Sequence, residues 1–257
     1  MEKFFVFIFG AIFGSFLNVC IYHIPRKISL LRPPSSCPNC GEQIPFYFNI
    51  PIISYIVLRG KCFSCRAVIP LRYPAVETLT AILTLLTYLQ FGFGGEFIFY
   101  TIFIYFLIVI SFIDLTTKLI LNKLLVYMLI TGVAMNLFLQ VLPWSQAFTG
   151  LVAGGLFLMS IALIGKVILR KESLGMGDVK FGAVAGYFLG WKMVVCATFL
   201  GFFFAFVVLI PLMFSKKLSM GEYFPLGPFL AVGMVTFVYW GKAILNWYWQ
   251  YIVQSGI

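Results

Sequence analysis

The chain has 257 residues, of which 62% are hydrophobic and 10% are charged, and its formal net charge is +10. A soluble domain is typically about 45–50% apolar and about 25% charged, so this composition excludes a water-soluble globule and indicates a polytopic membrane protein. The positive charge does not indicate nucleic-acid binding. Its basic residues are spread over short segments between apolar runs, which is the distribution that the positive-inside rule produces.

Eight apolar runs are predicted to form transmembrane helices, because their lengths suit a hydrocarbon core of about 30 Å. The shortest run, 177–191, is rich in glycine. The first run is expected to be a retained helix rather than a signal peptide, because a barely basic start precedes it and no small-residue cleavage site follows it. In chain order the runs are 4–22, 73–91, 97–113, 120–142, 148–169, 177–191, 193–214 and 226–250.

The basic residues predict how these helices are oriented in the membrane. When the N-terminus is placed outside, fifteen of the 18 lysines and arginines fall on the cytoplasmic side. Only Lys3, Lys192 and Lys242 then fall outside. With eight spans, both termini are therefore expected to lie outside.

The segment 23–72 is too polar to cross a membrane, and it contains two C-x2-C pairs, 37-CPNC-40 and 62-CFSC-65. Two such pairs can place four thiolates tetrahedrally around Zn²⁺. The reducing cytoplasm argues against the alternative, disulfide bonds. Four thiolates leave no position for water, so the predicted zinc is structural. The predicted fold class is an all-α polytopic membrane protein with about eight transmembrane helices and a small cytoplasmic zinc-binding loop domain.

The only two aspartates, Asp114 and Asp178, are both predicted to lie at the cytoplasmic membrane face. Ionisable residues at such depth are functional candidates by default. The alternative is that each is an interfacial residue, solvated or paired with Lys118 or Lys180. Two facing carboxylates suit amide hydrolysis: one, ionised, takes a proton from water, and the other, protonated, donates to the carbonyl oxygen. Because close carboxylates do not readily both ionise, the pair is expected to hold one proton.

Glycines flank the second aspartate. Gly175 and Gly177 are expected to let the chain bend at the helix entry and to let a substrate backbone approach. The following segment, 182-GAVAG-186 with Gly190, continues a small-xxx-small pattern that predicts close helix packing. Asp178 begins a predicted helix, where the helix dipole favours the anion, so it is expected to be the resting base. Asp114 ends a predicted helix, where the dipole favours the neutral acid, so it is expected to be the resting acid.

The sequence 175-GMGD-178 resembles the GxGD motif of membrane aspartyl proteases, and the chain resembles the bacterial type IV prepilin peptidases nearly end to end. Each matching segment is weak evidence alone, whereas all of them in order are specific. Besides the paired C-x2-C motifs, they are 14-GSFLNVCIYHIP-25, 49-NIPIISYIVLRGKC-62, 72-RYPAVETLT-80, 113-IDLTTKLILN-122, 174-LGMGDVKFGA-183 and 224-FPLGPFLAVG-233.

This resemblance implies an enzyme of the bacterial inner membrane that cuts the basic leader from prepilins or pseudopilins after a glycine, on the cytoplasmic side. It further implies N-methylation of the new N-terminal residue, usually Phe, with S-adenosylmethionine as donor. The implied partners are that substrate and the lipid bilayer, and the oligomeric state is left open. The implied domains are a first transmembrane helix, 1–22, a four-cysteine loop domain associated with methyl transfer, 23–72, and a protease domain, 73–257.

The resemblance also carries over site residues. The catalytic aspartates correspond to Asp114 and Asp178. The active-site loops correspond to Gly175, Gly177, Pro225, Gly227 and Pro228, and the zinc ligands correspond to Cys37, Cys40, Cys62 and Cys65.

Two positions depart from the family pattern. Leu121 stands where the family usually has proline, which could shift the start of the following helix, and His23 stands where it often has arginine. No glycine-rich dinucleotide motif marks a site for S-adenosylmethionine. The candidates for that site, or simply for loop structure, are Arg59, Gly60, Lys61, Arg72 and Glu77.

Two alternatives to the bifunctional enzyme remain at this stage. One is a peptidase alone, in which the zinc loop docks the substrate. The other is a proton-coupled transporter that uses the aspartates as proton carriers. Transporter sites usually lie near the bilayer midplane, whereas both aspartates are predicted to lie at one face.

Overall fold

The computed structural model describes residues 1–30, 36–37, 39–170, 174–214 and 224–255. The regular secondary structure of this part of the chain is helical apart from two isolated β-bridges. Its α-helices are α1 Glu2–Arg26, α2 Ile53–Val57, α3 Arg72–Phe91, α4 Gly95–Thr117, α5 Asn122–Leu139, α6 Trp144–Leu169, α7 Met176–Leu189, α8 Trp191–Phe214 and α9 Gly227–Ser255.

Eight of these helices correspond to the predicted spans, and the five-residue α2 lies inside the predicted loop domain. Among the described residues, six helices are long and apolar enough to cross a membrane: α1, α4, α5, α6, α8 and α9. The 14-residue α7 is about 21 Å long, which is shorter than a hydrocarbon core of about 30 Å. Threonines and Glu77 make α3 less apolar. The prediction of a multi-pass helical protein is confirmed. Two of the eight predicted spans, α3 and α7, are not both long and apolar enough to cross a membrane by themselves.

The bounds of α5 differ from the prediction at both ends. It begins at Asn122, because Leu121 adopts an extended backbone as its N-cap, with a φ of −77° that proline also adopts. The departure at Leu121 therefore leaves the helix start in place. At the other end, Gln140 turns into the left-handed region, and Asn136 makes two hydrogen bonds of 2.9 Å to the backbone of Leu142.

The chain forms two compact units, residues 1–97 and residues 98–257. In the first unit, α1 packs against α3 through glycines. A Cβ atom at Gly10 would lie 2.8 Å from Cα of Ala81, and one at Gly14 would lie 2.7 Å from Cα of Glu77. The two backbones approach closely because these positions have no side chain.

The short helix α7 lies at the centre of the second unit, where it packs against α5, α6, α8 and α9. Its Phe188 ring also contacts Phe99 and Phe103 of α4, with ring centroids 4.9 and 4.6 Å apart. A Cβ atom at Gly182 or Gly186 would collide with side-chain or backbone atoms of α6. The predicted small-residue packing is therefore confirmed, and its partner is α6.

Candidate active site and metal centre

Asp114 lies in the last turn of α4, and only 1% of its surface is exposed. Its Oδ2 atom accepts a 2.9 Å hydrogen bond from the backbone N–H of Gly227. Its Oδ1 atom is buried and has no hydrogen-bond partner among the described residues. One carboxylate oxygen is thus held by the backbone, and the hydrogen-bonding capacity of the other is unused within the described residues.

Asp178 lies in the first turn of α7, and 3% of its surface is exposed. The helix follows the extended residue Gly175, whose carbonyl accepts the N–H of Asp178 at 3.1 Å. A Cβ atom at Gly177 would lie 3.1 Å from Cβ of Ile120, so the glycine lets the segment after α4 approach α7. Neither glycine has a positive φ, so close packing rather than a left-handed bend explains Gly177.

The two carboxylates lie close enough to interact electrostatically. Like charges in a buried site repel, which disfavours ionising both carboxyl groups at once. Within the described ranges neither aspartate forms an ion pair with a lysine. Lys180 instead donates a 3.2 Å hydrogen bond to Oδ1 of Asn122, a residue for which the sequence motifs predict no role in the site. The alternative of two lysine-paired interfacial aspartates is therefore not what the structure has.

The segment that contains Pro225 leads into α9, which begins at Gly227. A Cβ atom at Gly227 would lie 2.8 Å from Oδ2 of Asp114, so the hydrogen bond needs glycine or a displaced carboxylate. Pro228 is tolerated in the first helical turn, where its missing N–H has no intrahelical acceptor. Both aspartates thus lie beside a helix N-terminus, so the dipole argument does not distinguish base from acid, and that assignment stays a prediction.

The four cysteines of the loop lie together. The Sγ atoms of Cys37, Cys40, Cys62 and Cys65 are all within 4.8 Å of one another. The Cys37–Cys65 separation is 3.9 Å, close to the about 3.8 Å that joins two sulfurs around a tetrahedral zinc with bonds of about 2.3 Å. The cluster therefore fits a Zn²⁺ ion.

The two cysteine pairs adopt the same local structure. The N–H of Cys37 donates to the carbonyl of Glu42 at 2.9 Å, and the N–H of Cys62 donates to the carbonyl of Ala67 at 2.8 Å. Four positions after the first cysteine of each pair, Gly41 and Arg66 both have positive φ. Each turn thus brings its two thiols to one side.

Hydrogen bonding within the loop favours a thiolate at one ligand. The backbone of Ala67 and the side chain of Asn39 lower the pKa of the Cys65 thiol to about 6. A thiolate rather than a thiol is the form that binds zinc.

The five candidate residues for a cofactor site do not line one cavity. Of these, only Glu77 lines the 430 Å³ cavity of the first unit. Arg72 does not pair with it in the described part of the chain. Its guanidinium lies 5.1 Å from the ring centre of Tyr73, and Glu77 accepts the N–H of Ile52.

Known families match both parts of the chain. The family model described as "Bacterial Peptidase A24 N-terminal domain" matches residues 8–91, and the "Type IV leader peptidase family" model matches residues 101–210. A protein of Bacillus subtilis (strain 168), named prepilin leader peptidase/N-methyltransferase, is 33% identical over 243 residues, which cover 95% of this chain and 96% of that relative. The chain belongs to the type IV leader peptidase family.

Other members of the type IV leader peptidase family, with the same printed name, match over similar lengths. The protein of Aeromonas salmonicida (strain A449) is 31% identical over 268 residues, covering 95% of this chain and 92% of its own length. The protein of Pseudomonas aeruginosa is 30% identical over 265 residues, covering 94% and 91%. No solved structure matches the chain. The first family model ends at residue 91 and the second begins at residue 101. The boundary between the two compact units, after residue 97, falls within this interval of the sequence.

Proposed function

We propose that this type IV leader peptidase is a membrane aspartyl endopeptidase that removes the basic leader of type IV prepilins and pseudopilins by cutting after a glycine. The observation that carries the proposal is the buried pair of Asp114 and Asp178, which come from α4 and α7 and have no cationic partner in the described part of the chain. The printed names of the relatives support the substrate class.

The two carboxyl groups divide the proton transfers of hydrolysis. An ionised aspartate removes a proton from water as the water oxygen attacks the scissile carbonyl carbon. The protonated aspartate donates its proton to the carbonyl oxygen, which gives a neutral tetrahedral diol. Return of a proton to the amide nitrogen then lets the C–N bond break and releases the leader and the new amine. Sharing one proton suits the pair to this exchange because burial and mutual repulsion oppose double ionisation.

Gly227 orients one member of the pair. Its N–H donates to Oδ2 of Asp114 and so fixes the carboxylate, which leaves Oδ1 for the reaction. Because the donor is a main-chain group, it does not change rotamer as a side chain would. Such fixed geometry contributes to rate because a reacting group displaced by about 1 Å can lose about 100-fold in rate. We assign Pro225 and Pro228 to the support of this loop, since they flank the glycine in sequence.

The same proposal includes methylation of the new N-terminal amine. S-adenosylmethionine would supply an electrophilic methyl group, and the relatives' names support this second activity. We place zinc on Cys37, Cys40, Cys62 and Cys65, where four thiolates close the coordination sphere, so the metal folds the loop and does not activate water. The distribution of basic residues supports a cytoplasmic loop and active site with both termini outside.

The proposal is tested by Asp114→Asn and Asp178→Asn in the purified enzyme with a prepilin in detergent. Each change keeps the side-chain size but removes an acid–base group, so each is expected to slow cleavage by at least about 100-fold. Glu96→Gln, at an exposed position in the first turn of α4, is the matched control and should cleave at the wild-type rate. Near-normal cleavage by either aspartate variant would refute the dyad.

Labelled S-adenosylmethionine in the same assay tests the second activity. Label on the mature N-terminal amine supports the bifunctional enzyme, and cleavage without label supports the peptidase alone.

A further inference from the structure

The first unit, residues 1–97, contains a cavity of 430 Å³ between the ends of α1 and α3 and the cysteine-containing loop. The volume lies in the range of about 300–1,000 Å³ that is typical of pockets for small molecules and cofactors. It is far larger than a metal ion needs, although Cys37 and Cys62 form part of its wall.

A buried polar residue lines this cavity. Asn18 lines it from within the apolar helix α1, and 3% of its surface is exposed. Its Nδ2 donates to the carbonyl of Tyr73 at 3.0 Å, whereas its Oδ1 has no hydrogen-bond partner within the ranges that the structure describes. An unpaired buried acceptor costs free energy, so a donor that reached this side chain from the cavity would lower that cost.

A carboxylate lines the same cavity. Glu77, with 9% of its surface exposed, accepts a 2.7 Å hydrogen bond from the N–H of Ile52. Ile52 has a φ of 65° and a ψ of −51°, an unfavourable conformation for a β-branched residue. Such strain occurs at sites where the surrounding structure imposes it for a function. Here it directs a backbone donor at Glu77 and fixes the carboxylate in the wall.

Aromatic rings complete the cavity. Phe48 and Phe63 lie against each other with ring centroids 4.8 Å apart, and Tyr22 and Tyr55 are also part of the wall. Aromatic faces stack on a heterocyclic base and attract cations. The cavity wall therefore combines a carboxyl group held in place by a backbone N–H, a buried amide with an unpaired oxygen, and aromatic surfaces.

We propose that this cavity binds S-adenosylmethionine, an inference that rests on the methyl transfer in the proposed function. The ligand carries positive charge on its sulfonium and ammonium groups, and Glu77 supplies the opposite charge. Its adenine offers a flat ring to the aromatic wall and an exocyclic N–H to the side chain of Asn18. The acidic residue is a binding residue, not the base that removes a proton from the substrate.

The test uses the full-length zinc-containing protein in detergent and measures S-adenosylmethionine binding by calorimetry. Glu77→Gln removes the charge but keeps an oxygen that can accept the N–H of Ile52, and it is expected to raise the Kd at least about tenfold. Asn18→Leu should weaken binding similarly. Glu96→Gln, a glutamate outside the cavity, should leave the Kd unchanged. Zinc content and melting temperature show whether each variant is folded.

A second measurement does not depend on variants. Ultraviolet cross-linking of labelled S-adenosylmethionine to the wild-type protein is expected to label peptides that line the cavity, such as those containing Tyr22, Phe48 or Tyr55. Label in residues 98–257 would overturn the proposal, as would an unchanged Kd in folded Glu77→Gln.

The failure of this site and the failure of methyl transfer give different results. Wild-type protein that methylates prepilin while Glu77→Gln binds normally overturns the cavity assignment alone. Wild-type protein that neither binds nor transfers the label overturns both. If Glu77→Gln raises the KM for prepilin but leaves the Kd for S-adenosylmethionine unchanged, the cavity takes the peptide and the proposal fails.

Discussion

The backbone N–H of Gly227 donates a 2.9 Å hydrogen bond to Oδ2 of Asp114, although 113 positions separate the two residues in sequence. Asp114 lies in the last turn of α4, and Gly227 begins α9, so an acceptor near the end of one helix meets a donor at the start of another. Because the donor is main chain, the position of the carboxylate depends on the absence of a side chain at residue 227.

Gly227→Ala is expected to displace that carboxylate, since the new Cβ would lie 2.8 Å from Oδ2. Cleavage should fall by about 10- to 100-fold, because a shifted reacting group loses its alignment. The measurement is kcat for prepilin cleavage in detergent. Gly94→Ala is the control, because no atom lies within 4 Å of its Cβ position. Equal rates for the two variants would contradict the positioning role.

Lys180→Met tests whether a lysine serves the aspartates as an ion-pair partner. Since Lys180 donates to Asn122 and is exposed, its loss should change kcat by less than about fivefold, as is usual for exposed polar contacts. The comparison is with Asp178→Asn in the same assay. A loss as large as that of Asp178→Asn would mean that the lysine acts on the carboxyl pair.

Gly186→Ala is expected to separate α6 from α7, because its Cβ would collide with the carbonyl of Gly150. Overpacking of this kind typically costs about 1–3 kcal/mol. The melting temperature of the protein in detergent should therefore fall, and cleavage should weaken because α7 carries Asp178. Gly94→Ala is again the control, with a melting temperature equal to that of the wild type. An unchanged melting temperature for Gly186→Ala would argue against this tight helix contact.

Cys40→Ser tests the metal centre through elemental analysis. Wild-type protein should hold about one zinc per chain, and the variant should hold little, because a structural zinc site requires all four ligands. Loss of the metal should also expose the loop to proteolysis. Cys196→Ser, which lies in α8 outside the cluster, should keep its zinc. Zinc retained after Cys40→Ser would show that the four thiols do not form one site.

Features set by local chemistry were predictable. Apolar runs predicted the helices, because hydrophobicity acts over neighbouring residues. The C-x2-C spacing predicted the turn that each cysteine pair forms, and the shared preference of the four thiols for one metal ion predicted that the two turns would meet. Leu121 was an uncertain position, and the structure shows why it is tolerated: its extended backbone suits an N-cap whether or not the residue is proline.

Features set by distant contacts were not predictable. The run at 177–191 was the weakest span because it is short and rich in glycine. The same properties let α7 lie at the centre of its unit. Its glycines allow α6 to pack closely against it, and a helix of 14 residues that is surrounded by other helices does not have to span the lipid. In the sequence, Asn18 is one polar residue within a segment that matches the family. That its Oδ1 atom has no hydrogen-bond partner in the described residues is evident only from the packing of α1 against α3 and the loop.

Hydrophobicity and short spacings act over nearby residues, so a helical membrane protein with two aspartates and two cysteine pairs could be inferred from the amino acids alone. Three contacts became visible only in the folded chain: the backbone of α9 binds Asp114, Lys180 donates to Asn122, and Asn18 and Glu77 line the same cavity. Those contacts join residues far apart along the chain, so their geometry depends on how helices pack, which no local pattern records.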